Sequence, residues 1–125
     1  MQTLGAEILR LAHGECRIAC TVSPGFGQQH GFVHAAVLVA LADTAGGYAA
    51  FTMTGNDEDV LTSELKLNCL GPAKSTRLIG TRKVIRAGKR LVVCEIRTLA
   101  NAGRADVCCV VGLQTLVRIR SRAVP

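Results

Sequence analysis

The chain has 125 residues, of which 49% are hydrophobic, 19% charged and 3% aromatic, with a formal net charge of +6. That is the size of one domain, 1–125, and apolar enough to bury a real core, so an intrinsically disordered chain is excluded. No basic segment followed by an apolar stretch and a small-residue cleavage site opens the sequence, so a cytoplasmic protein is expected rather than an exported one.

In chain order, GAEILRLAHGECRIACTV predicts two strands about Gly14, because Ile18, Cys20 and Val22 alternate with Arg17, Ala19 and Thr21. SPGFGQQHG, with one Pro and three Gly, is a loop. Residues 34–51 then read HAAVLVALADTAGGYAAF, an apolar run with the single carboxylate Asp43 in its middle. The segment from Phe32 to Phe51 has the length of a membrane span, yet a central Asp costs roughly 2.5–3.5 kcal/mol on insertion scales, and the abundant Ala and Gly gain little there. A buried helix with no membrane role is the expectation.

TGNDEDV ends that helix with Gly55, Asn56 and three acids, and the hydrophobic period changes to two. VLTSELKLNCL predicts a strand with Leu61, Ser63, Leu65, Leu67 and Cys69 on one face and Thr62, Glu64, Lys66 and Asn68 on the other. Gly71-Pro72 turns the chain. STRLIGTRKVIR and KRLVVCEIRTLA pair around Ala87-Gly88, and Asn101-Ala102-Gly103 leads into RADVCCVVGLQTLVRIR. The expected class is α+β, an antiparallel sheet of five to six strands wrapped around one long central helix. A helix apolar on nearly every side needs cover all round; one twisted sheet supplies about half, and a second copy of the chain is the economical remainder.

Six cysteines include no CxxC pair, and Cys108 and Cys109 are adjacent, so they read as small apolar fillers in reduced strands. His30 and His34 stand four apart, but Gly31 lies between them and no HExxH glutamate is present, so no metal is expected. Residues 1–65 hold two basic and seven acidic side chains, whereas residues 66–125 hold thirteen basic and two acidic, a local charge of +11. Either a phosphate-bearing partner meets this half or it is a solvated face. Nucleic acid is disfavoured, since Phe26, Phe32, Tyr48 and Phe51 all precede the basic strands and no ring is left there to stack a base. The densest basic cluster is Arg82, Lys83, Arg86, Lys89 and Arg90.

On a helical wheel the stripe through Asp43 contains Ala36, Val39, Ala40, Gly46, Gly47 and Ala50, nearly all small, so a thin substrate can approach the acid from the flank. Such a carboxylate is a candidate base or nucleophile; the bland alternative is an ion pair with an Arg or a cap on a second short helix. The helix start, with the amides of residues 35–37 free, suits an oxyanion. From residue 35 to Asp43 is roughly 12 Å at the helical rise, too far for one carbonyl to meet both within one chain. Two helices side by side would solve this. His34 falls opposite Asp43 on the wheel and reads as a residue at the mouth of the site, bonding nearby backbone.

The stretch GFVHAAVLVALADTAGGYAAF, with Gly31, His34 and then Asp43 nine residues on, resembles the hotdog-fold acyl-CoA thioesterases, in the branch of the phenylacetate-pathway, 4-hydroxybenzoyl-CoA thioesterase-like and human-type small enzymes. LTSELKLNCLGPAK is similar to that family's third strand and VIRAGKRLVVCEI to its Gly-Lys hairpin, so the resemblance spans nearly the whole chain. It implies a hotdog fold, dimers joined into tetramers, active sites shared between two chains, and hydrolysis of an acyl-CoA without a cofactor. By position it implies Asp43 as nucleophile or general base and the Ala35 amide as oxyanion donor. Gln28 stands where the family often has Asn to hold the water or thioester, Thr62 where a hydroxyl assists, and Arg86, Lys89 and Arg90 where coenzyme A phosphates are met. His34-Ala35-Ala36 replaces the family's His-Gly-Gly; alanine keeps the amide, while two methyls narrow the slot. The alternatives are a non-catalytic acyl-CoA-binding module and a dehydratase on the same fold.

Overall fold

The computed structural model describes residues 2–101, 103 and 105–121. Its elements follow the order β1 (Ala6–Ala12), β2 (Glu15–Thr21), a 3-10 turn (Pro24–Phe26), α1 (Ala35–Phe51), β3 (Glu58–Cys69), β4 (Arg77–Ala87), β5 (Leu91–Asn101) and β6 (Asp106–Arg120). The six strands form one sheet in the order β1-β2-β4-β5-β6-β3, with every neighbouring pair antiparallel. The expected two strands, helix and four further strands are all present, but only β4, β5 and β6 form a meander: β3 crosses to pair with β6 at the far edge, and β4 pairs with β2 instead. The turn expected at Asn101-Ala102-Gly103 includes Ala102, which lies outside the described residues.

The helix packs against every strand of the sheet through Leu38, Leu41, Ala42, Ala45, Gly46, Ala49 and Ala50. Ile18, Leu78, Ile96 and Leu116 rise from the sheet to meet it and are fully buried, each contributing about 1.5–3 kcal/mol over an exposed position. Cys16, Cys20, Cys94 and Cys109 are buried in the same core, where burial raises each thiol above its ordinary range. Among the described residues no helix is long and apolar enough to cross a membrane.

The helix flank turned away from the sheet stays open, with Val39 38% and Phe51 52% exposed. This uncovered apolar flank is what an all-round apolar helix leaves when one sheet covers it alone. Strand β3, twelve residues long, ends the sheet, so one of its backbone edges has no partner among the described residues.

One expectation fails in β3. The simple alternation put Thr62 opposite Leu65 and Leu67, but the register against β6 shifts between Thr62 and Glu64. A bulge inserts an unpaired residue, here Ser63, and reverses which side chains face inward beyond it. Val60, Leu65 and Leu67 pack on the core, Thr62 bonds to the helix, and Leu61 is thrown to the outer face at 59% exposure.

The charge asymmetry along the chain also changes meaning in space. Strands β1, β2 and β3, which carry most of the acids, flank the basic β4, β5 and β6, and the signs are mixed by pairing: Arg77–Glu7 at 2.8 Å, Arg118–Glu58 at 2.9 Å and Arg17–Asp106 at 3.9 Å. Arg82 leaves the expected basic cluster altogether, because it points into the core and is 3% exposed.

Candidate active site

Asp43 sits half-buried at the middle of α1, and its Oδ1 accepts two hydrogen bonds. The Thr62 hydroxyl donates at 2.7 Å and the Gln114 side-chain amide Nε2 donates at 2.8 Å. Gln114 Nε2 also donates to Thr62 Oγ1 at 2.9 Å, which closes a three-residue ring joining α1, β3 and β6. Among the described residues Oδ2 has no hydrogen-bond partner. The ion pair with an Arg, the bland alternative for this acid, is absent from the described contacts. Thr62 reaches Asp43 only because of the bulge at Ser63.

Gln114 was not legible as a site residue from the sequence. Its signals are slight: a neutral polar side chain on the inward parity of an apolar strand, two places after Gly112, and facing a helix that carries Gly46-Gly47. It is fully buried, and its Oε1 has no hydrogen-bond partner among the described residues.

Arg82 braces the same turn of helix from beneath. Its Nε donates to the Ala42 carbonyl at 2.9 Å, its Nη1 to the carbonyls of Thr81 and Arg97, and its Nη2 to Thr98 Oγ1 at 3.4 Å. Burial, opposed by the nearby Cys94 and Cys16 thiols, lowers this guanidinium from its ordinary value to about 10.

At the other end of α1, His34 is the N-cap, and its Nδ1 accepts the Ala36 amide at 3.0 Å. An accepting Nδ1 places the ring proton on Nε2. The Val37 amide turns to the His34 carbonyl at 3.0 Å. Of the three amides expected to be free, only that of Ala35 lacks an acceptor among the described residues. Ala35 and Gln28 line one recess of about 190 Å³ together with Phe32, Val33, Leu38, Cys69 and Pro72. The Gln28 side chain accepts the His30 amide, and its backbone pairs with Phe32 at 2.8 Å, which holds the loop against the helix start.

The structure therefore gathers the expected residues into two groups, Asp43 with Thr62 and Ala35 with Gln28 and His34. The unbroken helix Ala35–Phe51 keeps the groups apart, since eight residues of helix span roughly 12 Å. Arg86, Lys89 and Arg90 lie exposed at the β4–β5 hairpin. Arg118 ties that hairpin to the C-terminal end of the helix, through Gly88 O at 3.0 Å and Met53 O at 3.0 Å. The basic hairpin and the Ala35 amide of one chain are thus at opposite ends of α1. A second recess, about 380 Å³, opens one turn beyond Asp43 and is lined by Thr44, Gly47, Tyr48, Phe51, Asp59 and Val60.

Residues 30–111 match the profile of the thioesterase superfamily. A Saccharolobus solfataricus protein named as a candidate esterase is 33% identical over 105 residues, covering 84% of this chain and 68% of the relative. The 1,4-dihydroxy-2-naphthoyl-CoA hydrolase of Listeria monocytogenes is 29% identical over 96 residues, covering 77% and 78%. The crystal structure of a thioesterase family protein from Silicibacter pomeroyi superposes with a TM-score of 0.94 at 32% identity, over 97% of this chain and 89% of that one.

Proposed function

The chain belongs to the thioesterase superfamily, a family of thioester hydrolases with the hotdog fold, and on that premise we propose that it hydrolyses an acyl-CoA to the free acid and coenzyme A, with Asp43 as general base or nucleophile. The observation that carries the proposal is the asymmetry of the Asp43 carboxylate. Oδ1 is held by Thr62 and Gln114, while Oδ2 has no partner among the described residues, on a helix whose small flank admits a thin substrate.

The oxyanion donor is the Ala35 amide of a second copy. Two helices packed antiparallel through their open flanks bring the start of one towards the middle of the other. The same packing turns the start of one helix towards the end of the other that carries the basic hairpin, so Arg86, Lys89 and Arg90 can meet the phosphates of a coenzyme that extends from a thioester held between the chains. The unpartnered edge of β3, next to that flank, supports the assembly, and a dimer of such dimers gives the expected tetramer.

In the reaction the thioester oxygen accepts the Ala35 N–H as it gains charge. Asp43 Oδ2 removes a proton from water, whose oxygen bonds to the carbonyl carbon, or it attacks that carbon itself and water opens the resulting anhydride. In either course the C–S bond breaks, its electron pair leaves with sulfur, and a proton neutralises the coenzyme thiolate. Gln28 and His34 orient the group at the oxyanion end. An aryl acyl group fits the recess beside Gly47, where Tyr48 and Phe51 supply rings, and the substrate named for the Listeria relative is of that class. The six free thiols, four of them buried, suit a reducing cytoplasm.

The test is release of free thiol over short, medium, long and aryl acyl-CoAs, run beside Asp43→Asn. The asparagine carbonyl can accept from both Thr62 and Gln114, so the variant keeps its fold and oligomer while losing the base. Turnover falls at least ~100-fold, the scale of a positioned acid-base group. Near-full activity in the variant removes Asp43 from its role, and no turnover by the parent on any thioester removes the reading.

A further inference from the structure

We propose that Gln114 is the positioning residue of the Asp43 carboxylate, seated in a space that exists only because residue 46 is glycine. The chemical part of this inference rests on the thioesterase reading; the geometric part stands without it. Gln114 is fully buried, and the two hydrogens of its Nε2 are both committed, one to Asp43 Oδ1 at 2.8 Å and one to Thr62 Oγ1 at 2.9 Å. Thr62 in turn spends its own hydrogen on the same Oδ1 at 2.7 Å. The Thr62 hydroxyl and one Gln114 hydrogen meet at Asp43 Oδ1, and the other Gln114 hydrogen holds the Thr62 oxygen in place. The carboxylate plane is thereby fixed, and Oδ2 is the oxygen left to meet water or the thioester carbon.

The other half of the Gln114 amide explains the glycine. A Cβ on Gly46 would stand 1.6 Å from Gln114 Oε1 and 2.6 Å from its Cδ. Glycine in a helix interior costs about 1 kcal/mol against alanine, so keeping it in a buried turn needs a reason. Here the amide lies across the bare backbone, and with Nε2 aimed at Asp43, Oε1 has no hydrogen-bond partner among the described residues. A buried amide left half-satisfied is the kind of local sacrifice expected where orientation matters more than stability.

Gln114 touches no reacting atom in this assignment, so the effect of losing it falls on turnover rather than on substrate affinity. Gln114→Leu, similar in volume and without a donor, is expected to lower kcat 10- to 100-fold with KM changed less than 3-fold. Thr62→Val gives a loss of similar size, and the double variant is no worse than the more damaged single one, because the two act as a unit. Losses that multiply, or a change carried by KM, overturn the positioning role.

Gly46→Ala offers a route that leaves the Gln114 side chain chemically intact. The methyl displaces the amide, so the variant loses both thermal stability and kcat. Gly46→Ala combined with Gln114→Ala recovers the Tm lost by Gly46→Ala alone, since the methyl now has room, while kcat stays low. If the second change brings no recovery in Tm, the seat assigned to Gln114 is wrong. This thermal cycle needs no substrate: a parent protein that releases no thiol removes the thioesterase reading, while the cycle still decides the placement of Gln114. Should Gln114→Leu fail to fold, Gln114→Met takes its place in the kinetic comparison.

Discussion

Replacing Arg82 separates the worth of a buried charge from the worth of its planar donors. The side chain is 3% exposed and faces no carboxylate among the described contacts; its acceptors are the Ala42, Thr81 and Arg97 carbonyls and the Thr98 hydroxyl. The fall from 12.5 to about 10 corresponds to ~3 kcal/mol held against the charged form. Removing the donors from three carbonyls costs about 1 kcal/mol each, at the low end because a carbonyl has a second lone pair. The two quantities nearly cancel. Arg82→Met, which fills similar volume without charge, is therefore expected to cost only ~0–2 kcal/mol. Arg82→Ala adds a cavity and costs about 3–5 kcal/mol. Arg82→Lys keeps a more strongly hydrated charge on a single nitrogen that cannot reproduce the spread of the planar fork over its four acceptors, so it costs more than Arg82→Met despite being the conservative change. Urea unfolding at one fixed protein concentration measures the series, since assembly contributes to apparent stability. A lysine variant within 0.5 kcal/mol of the parent beside a methionine variant losing more than 4 kcal/mol would falsify the reasoning: the site would then need charge and not the fork.

Glu58 has its carboxyl held below the ordinary range, first by the Gly55 amide at 3.0 Å and then by Arg118 at 2.9 Å. A lowered folded-state value gives stability that is present above the unfolded value and lost as pH falls through the folded one, so between roughly pH 5 and 3 Glu58→Gln should lose less stability than the parent. Equal acid slopes for the two proteins would show that Glu58 is not among the groups responsible. Gly47 faces open space, with no atom within 4 Å of an added Cβ, and it lines the recess assigned to the acyl group. Gly47→Ala should raise stability by about 1 kcal/mol through helix propensity while lowering kcat/KM for the bulkiest acyl-CoAs and sparing short ones; an even loss across chain lengths would place the acyl group elsewhere.

Local periodicity carried most of the fold. The two-residue alternation in the meander and the apolar run of α1 are short-range signals, and both became the elements they suggested. What escaped was set by contacts between distant residues. The bulge at Ser63 is a fact about pairing with β6 and leaves no mark on the alternation of VLTSELKLNCL, so Thr62 seemed to face away from Leu65. Arg82 looks like any surface cation in RLIGTRKVIR, since its acceptors are backbone carbonyls, which no residue type announces. Gln114 meets Asp43 across 71 positions of sequence. Asp43 itself stood out because an acid in an apolar run is costly wherever the chain goes, and that argument needs no tertiary information.

The two alanines after His34 can be judged by what the helix start asks of them. Among the described residues every positive φ belongs to a glycine, none at 35 or 36, so neither position needs glycine for its backbone conformation. Both side chains are exposed, so neither methyl intrudes on the core. The Ala36 amide is engaged by His34 Nδ1, and the Ala35 amide has no acceptor among the described residues, so the oxyanion donor proposed above belongs to the main chain and is indifferent to the side chain attached. What the methyl of Ala35 changes is the width beside that amide, in the recess shared with Gln28 and Leu38. In the proposed mechanism alanine in place of glycine there would bear on which thioester can be seated, while an oxyanion donor supplied by the main chain would be kept.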